Sequence, residues 1–358
     1  MAGSPNIESV PVCFSGAGRY GRYLGKMASV SPMLRIVAVF DPDREASEAF
    51  QSQFGGRIYD SYEEMLTDFD IEAVIIASPN ANHSRQALLA MSTGKHVFIE
   101  QPLANSVSEA REMLTAAHVS GMLLMVGQNS RRNNAIRQLG AVVDQGILGR
   151  VLMGEGNFSS MLGFKLTDTD WRAHTRTNPG GPLMDLGIHV IDIFNYLFGR
   201  PLMVLAMNNR LTGELEIHDT SSLLVRYDSG VQAYIGSTMV SPPTNYMRIY
   251  GTACNVVLSG KTGVVELHYP DGTVETPEIT TPFSGLADVP TQRQQLDEFA
   301  YCIRTGATPE TDGWTGLFTL AIIEGAVLSG SSGQLVYLEE FLKALDNQWS
   351  PGETGGAF

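Results

Sequence analysis

A chain of 358 residues is too long for one ordinary core and suits two domains. Hydrophobic residues at 43% and charged residues at 17% describe a globular protein with a sizeable interior, and a net charge of −14 argues against nucleic-acid or anionic-membrane partners. No uninterrupted apolar run reaches the roughly 18 residues that span a bilayer. The first residues, Met1-Ala-Gly-Ser-Pro-Asn-Ile-Glu8, lack the basic and apolar regions of a secretory leader, so a cytoplasmic location is expected. Cys13, Cys254 and Cys302 lie far apart in apolar runs and read as buried thiols, and no cluster has metal-ligand spacing.

The first third alternates strand and helix. Val10–Ser15 is a short apolar run that ends in glycines, the pattern of a buried parallel strand, and a helix is expected from near Tyr20. Further β-branched runs follow at Leu34–Phe40, Ala73–Ala77, His96–Ile99 and Leu123–Val126, with a helix over Val107–Ala117. This alternation predicts βαβ units and a parallel sheet in a first domain over residues 1–128. Beyond it, Val151–Ser159, Ser221–Tyr227, Val231–Met239, Met247–Tyr250 and Val264–Tyr269 alternate or run β-branched between turns, which predicts a large, mostly antiparallel open sheet. One strong helix, Leu186–Phe198, interrupts them. Helices over Gln292–Arg304 and Trp314–Ser329 are expected to pack back on the first domain. The second domain is placed at 129–345, and 346–358 is read as a flexible tail.

The turn Gly16-Ala17-Gly18-Arg19-Tyr20-Gly21 has the G-x-G-x-x-G spacing, with a strand before it and a helix after it. Gly16 allows the tight turn, Gly18 lets backbone approach a pyrophosphate, and Gly21 lets helix and strand pack closely. Arg19 and Tyr20 lie at the helix N-terminus that faces the diphosphate. Asp41, twenty residues past Gly21, can accept from both ribose hydroxyls and repel a 2′-phosphate, so NAD is the expected cofactor. Arg44 is the nearby residue that would loosen this selectivity.

Ala73–His83, Gly94–Leu103, Trp171-Arg172, Gly180–Asp192 and Tyr250-Gly251-Thr252 together resemble the Gfo/Idh/MocA family over about residues 9 to 340. The resemblance implies a Rossmann domain joined to an α/β domain whose open sheet forms a dimer or tetramer interface. It also implies NAD(P)-dependent oxidation or reduction of sugars, inositols and related polyols at the domain junction. The family's Glu-Lys-Pro motif falls on Glu100-Gln101-Pro102, and its Asp-x-x-x-His on Asp185 and His189. Four residues apart on a helix, these two side chains share a face. His189 is then the acid/base, with Asp185 orienting the ring or holding a polyol hydroxyl.

Gln101 departs from that pattern. A lysine there would stabilise a developing alkoxide, whereas glutamine keeps hydrogen-bond reach without charge. Three readings follow: a dehydrogenase relying on His189 or on a substitute cation such as Lys165; an NAD-dependent redox-neutral glycosidase, in which transient C3 oxidation permits elimination of the aglycone; and a non-catalytic dinucleotide- and sugar-binding regulator. Retention of Asp185, His189 and the glycine framework favours the enzymes.

Ser78, Asn80 and His83 follow a strand at the carboxyl edge where ligands bind in open α/β sheets. Asn80 is placed beside the nicotinamide ribose, and His83 is either a helix-start hydrogen-bonding residue or a ligand contact. Glu100 is counted with the cofactor-binding positions, and Gln128, Asn129 and Arg131 stand where substrate and nicotinamide meet. Lys165, Trp171 and Arg172, with His174 and Arg176, form a basic segment suggestive of an anionic substituent. Tyr246 is expected to close the substrate pocket.

Overall fold

The structure is a computed structural model that describes residues 8–213, 215–260, 263–279, 281 and 283–346, so the tail residues from 347 onward lie outside the described residues. Val10–Ser15 (β1) is buried along its whole length, as a parallel strand covered on both faces must be. It leads into α1 (Arg19–Ser29), β2 (Leu34–Phe40), α2 (Arg44–Phe54), β3 (Arg57–Ile58) and α3 (Tyr62–Leu66). The series continues through β4 (Ala73–Ile76), α4 (His83–Ser92), β5 (His96–Glu100), α5 (Val107–Ser120) and β6 (Leu124–Gly127). The six strands are parallel in the order β3-β2-β1-β4-β5-β6. The winding reverses between β1 and β4, which opens a crevice at their carboxyl ends.

The second sheet has nine strands. Its members are β7 (Val151–Ser159), β8 (Pro201–Asn209), β9 (Thr220–Tyr227), β10 (Gln232–Thr238), β11 (Thr244–Gly251), β12 (Asn255–Ser259), β13 (Val264–His268), β14 (Val274–Glu275) and β15 (Val336–Tyr337). Their order is β14-β13-β12-β11-β7-β10-β9-β8-β15, antiparallel except for the β7–β10 pair. Helices α6 (Asn134–Asp144) and α7 (Ile188–Phe198) cover one face. Gly156 of β7 allows the close seating of α7: a Cβ there would lie 2.6 Å from Val190 Cγ1. Two parallel and antiparallel sheets of this kind are the fold class that the sequence implies.

Three further helices complete the chain: α8 (Thr291–Thr305), α9 (Gly313–Ser332) and α10 (Leu338–Asp346). Helix α8 packs on α1 of the first domain, with Phe299 edge-on to Phe98. Helix α9 has the length and apolarity to cross a bilayer, a property the interrupted sequence pattern hides. It lies instead between α5, α7 and β8 as a mostly buried core helix. Its Glu324 accepts from the Val107 N–H at the start of α5 (2.6 Å).

The differences from the sequence reading are local. Helices α2, α3, α6 and α10 and strands β3, β8, β12, β14 and β15 are additions. The helix expected at Leu186 begins as a π turn, Leu183–Gly187, before α7 proper.

Candidate functional site

The glycine turn closes on the loop after β4. Gly16 has φ +99°, and a Cβ on it would lie 2.6 Å from the Ala77 carbonyl carbon, so both its conformation and its space require glycine. Around Gly18 the Cβ direction is open, and the N-terminus of α1 carries no side-chain cap. Its N–H groups are therefore available to phosphate oxygens. A cavity of about 540 Å³ lies here, lined among others by Gly16, Gly18, Arg19, Tyr20, Asp41 and Ser78. Asp41 Oδ2 accepts from the Ala17 N–H (2.7 Å) and Oδ1 from the Asp43 N–H (2.9 Å), which leaves further lone pairs on each oxygen. Arg44 is paired with Glu48 and Asp60, away from that carboxylate.

Past the ends of β4, β5 and β6, the buried side chains carry orphaned atoms: Asn80 Nδ2, Gln101 Oε1 and Gln128 Oε1. Gln128 is 2% exposed and Asn80 5%. Unpartnered amides at the carboxyl edge of a dinucleotide-binding sheet fit a nicotinamide nucleotide, whose ribose and carboxamide would be suitable partners. Ser78 lines the cavity with its hydroxyl donated to Gln86 Oε1 (2.7 Å).

Two of the expected cofactor contacts do other work. His83 is fully buried, with its ring nitrogens on the carbonyl oxygens of Pro102 (2.8 Å) and Ser78 (3.0 Å). It ties the loop after β4 to the one after β5, which is the helix-start alternative. Glu100 lies buried over Gly127, with Gln295 Nε2 3.4 Å from its Oε1, and burial pushes its carboxyl up to about 8.

The basic segment is not gathered on a substrate. Trp171 and Arg172 line the dinucleotide cavity, not a separate substrate pocket, with the guanidinium 4.1 Å from the indole centre. Arg172 Nε is bound to Asp185 Oδ1 (2.9 Å), and His174 to Glu216 (3.1 Å). Lys165 is exposed at the end of a short turn, Gly163–Lys165, and lines neither this cavity nor the next.

A second cavity, of about 190 Å³, sits at the domain junction against Asn129, Ser130, Phe158, His189, Asn245 and Thr291. His189 Nδ1 is 2.9 Å from Ser130 Oγ, and its ring tilts against Phe158. Burial lowers its pKa to about 4, so the imidazole rests neutral. The structure does not join Asp185 to it. Asp185 sits in the π turn Leu183–Gly187 and His189 in α7 beyond it. Asp185 instead bonds Arg172 and the Asn178 amide (2.9 Å).

Tyr246 is on the wrong face for the pocket. Its hydroxyl donates to Glu155 (2.9 Å) on the open side of the sheet, while its neighbours Asn245 and Met247 line the cavity. The alternation in Met247 and Ile249, both buried, was the signal that could have found Asn245. Ser130 and Thr291 had no signal in the sequence, because their loops meet His189 only through the tertiary fold.

The comparisons agree with this geometry. Residues 10–128 match the model of an oxidoreductase family with an NAD-binding Rossmann fold, and residues 136–257 the GFO/IDH/MocA C-terminal domain. D-apiose dehydrogenase of Paraburkholderia graminis is 28% identical, covering 85% of this chain and 83% of that protein. Trans-1,2-dihydrobenzene-1,2-diol dehydrogenase of Oryctolagus cuniculus is 31% identical over 61% of this chain and 65% of that one. Levoglucosan dehydrogenase, solved with NADH and levoglucosan, superposes with a TM-score of 0.84 at 21% identity, covering 92% of this chain and 100% of that one. The chain belongs to the Gfo/Idh/MocA family of NAD-binding oxidoreductases.

Proposed function

We propose that this protein is an NAD-dependent dehydrogenase acting on a secondary hydroxyl of a neutral sugar or polyol, with His189 as the acid/base. The observation that carries the reading is the junction cavity. Among its described lining residues are one neutral imidazole, the Ser130 hydroxyl beside it, and the amides and hydroxyl of Asn129, Asn133, Asn245 and Thr291, with no charged side chain. Such a lining recognises hydroxyls rather than carboxylate or phosphate. The relatives named as sugar and diol dehydrogenases support the same class.

NAD+ when bound supplies the hydride acceptor. Gly16, Gly18 and the start of α1 would hold its diphosphate, and Asp41 its adenosine ribose, which would favour NAD over NADP. Asn80, Gln101 and Gln128 complete the nicotinamide end. Nε2 of His189 takes the proton of the substrate hydroxyl, and the neutral resting state leaves that nitrogen free to do so. Gln101 positions the hydroxyl but adds no charge. Leu205, Leu224 and Tyr234, paired across β8, β9 and β10 and exposed on the uncovered face of the second sheet, support assembly with a second copy of the chain.

The test is a panel of free sugars, polyols and chromogenic glycosides with NAD+ or NADP+, read at 340 nm and for aglycone release. Steady NADH formation from a free sugar or polyol is expected. Aglycone release with no net NADH would overturn the dehydrogenase in favour of a redox-neutral glycosidase, and tight NAD binding without either signal would favour a regulator. Gln101→Lys is expected to raise kcat, since one electrostatic donor is commonly worth on the order of 10²-fold.

A further inference from the structure

An imidazole that moves protons at one nitrogen needs the other occupied, since that bond fixes both its tautomer and its rotation. Carboxylates usually serve. Here both carboxylates near His189 in sequence are committed elsewhere. Asp185 bonds Arg172 and Asn178, and Asp192 is gripped by Arg131 through Nε (2.9 Å) and Nη2. The group on Nδ1 of His189 is the Ser130 hydroxyl, 2.9 Å away.

We propose that Ser130 is the positioning residue for His189: its oxygen accepts the Nδ1–H, so that Nε2 presents its lone pair to the junction cavity. This rests on the reading of His189 as the acid/base.

The geometry is a double grip. Ser130 and Arg131 are successive residues of the turn Asn129–Arg132 after β6, and His189 and Asp192 are three apart on one face of α7. One short turn therefore holds one helix face at two points. The Arg131–Asp192 pair is almost fully buried, with side chains 6% and 2% exposed, and it fixes the distance at which the neighbouring hydroxyl meets the ring. Phe158 bounds the imidazole on another side.

A hydroxyl differs from a carboxylate in carrying no charge. Among the described residues, the charged groups on the elements against α7 are held elsewhere or face solvent: Arg132 with Glu298, Arg137 with Glu310, Asp185 with Arg172, Glu324 with the Val107 N–H, Glu155 with two tyrosines on the far face of the sheet, and Asp144 exposed at the end of α6. Among the described residues no carboxylate therefore holds the imidazolium, and burial keeps the ring neutral, lowering its pKa to about 4. In the oxidative direction the substrate hydroxyl gives its proton to Nε2, while bound NAD+ would be the acceptor for the hydride from the same carbon. Nδ1–H stays on Ser130 throughout, and the imidazolium returns the Nε2 proton to water after the carbonyl product leaves. In the reductive direction Nε2–H is the donor, with the same Ser130 bond in place.

The tautomer is read directly by long-range proton–nitrogen NMR on enzyme labelled with ¹⁵N-histidine, with His189 assigned by loss of its signal in His189→Gln. The Nδ1–H form is expected in the unaltered protein and in Ser130→Thr, and a shift toward Nε2–H in Ser130→Ala. In turnover, Ser130→Ala is expected to lower kcat about 10- to 100-fold with KM nearly unchanged, part of the 10²–10⁴-fold that a positioned acid/base contributes. Ser130→Thr recovers it, and Ser130→Asp moves the acid limb of the kcat profile upward toward neutral pH. An Nε2–H tautomer in the unaltered protein overturns the proposal. So does a Ser130→Ala enzyme with full kcat and an unmoved pH profile while His189→Gln is inactive. If His189→Gln also keeps full kcat, the acid/base reading itself has failed.

Discussion

Glu100 and Gln101 make a neutral pair at the end of β5, where the family pattern would place a carboxylate and an ammonium. The two departures are physically linked. A lysine beside Glu100 would hold its carboxyl ionised, whereas an amide leaves burial unopposed. The Gln101 N–H and Gln295 Nε2 do pull the pKa down, but burial dominates and raises it from 4.5 to about 8. The folded-state value thus lies above the unfolded one. Its contribution to stability is fully present below about pH 4.5 and is lost as pH rises toward 8. Between pH 6 and 9 the protein is therefore expected to lose on the order of 2–4 kcal/mol through this group. Glu100→Gln, which keeps the neutral shape, should flatten that part of the melting-temperature profile; Gln101→Lys should flatten it too, by lowering the unpaired carboxyl's pKa. A profile unchanged in both variants would mean that Glu100 is already ionised.

At the scale of elements, the site depends on which way a strand is facing. In β11 the residues Asn245, Met247 and Ile249 share the helix-covered face, and Tyr246, Arg248 and Tyr250 share the other. Asn245→Ala is expected to raise KM for the sugar roughly 10-fold, the loss of one hydrogen bond of about 1–2 kcal/mol to a substrate hydroxyl. Tyr246→Phe should leave KM unchanged. The opposite result in steady-state kinetics would restore the tyrosine to the pocket. Much of the site was legible because its chemistry is local: Gly16, Gly18 and Asp41 are set by the first βαβ unit, and the turn between strand and helix dictates them. Asp185 is drawn off by Arg172 and Asn178, which the preceding loop brings to its carboxylate, and residue spacing shows neither contact. Trp171 and Arg172 were placed on the substrate because no local signal says that a second-domain loop reaches the dinucleotide cavity. The Ser130–His189 contact bridges 59 positions and arises only when β6 and α7 pack together.

The whole molecule has one sheet covered on both faces and one covered on a single face. The parallel sheet was readable from its unbroken apolar runs, and the second from alternation, while β8 and β12 were lost among mixed sequences such as Pro201–Asn209. The uncovered face of that second sheet carries a cross-strand row. Leu205 pairs with Leu224, and Leu224 with Tyr234, on adjacent strands β8, β9 and β10. Their exposures, 39%, 56% and 36%, with Met207 at 74%, leave a continuous apolar band on a surface that carries an overall negative charge. Bands of this kind on a flat sheet favour burial against a partner, and the self-complementary partner available to every molecule is another copy. The protein is expected to run as a dimer or tetramer in light scattering coupled to size exclusion. Leu224→Lys, at the centre of the row, places charges against each other across a two-fold interface and should release monomers. A monomer in the unaltered protein at micromolar concentration would remove this role from the open face. Since neither cavity borders that row, the monomeric variant is also expected to keep binding NAD, measurable by quenching of protein fluorescence, even where turnover falls.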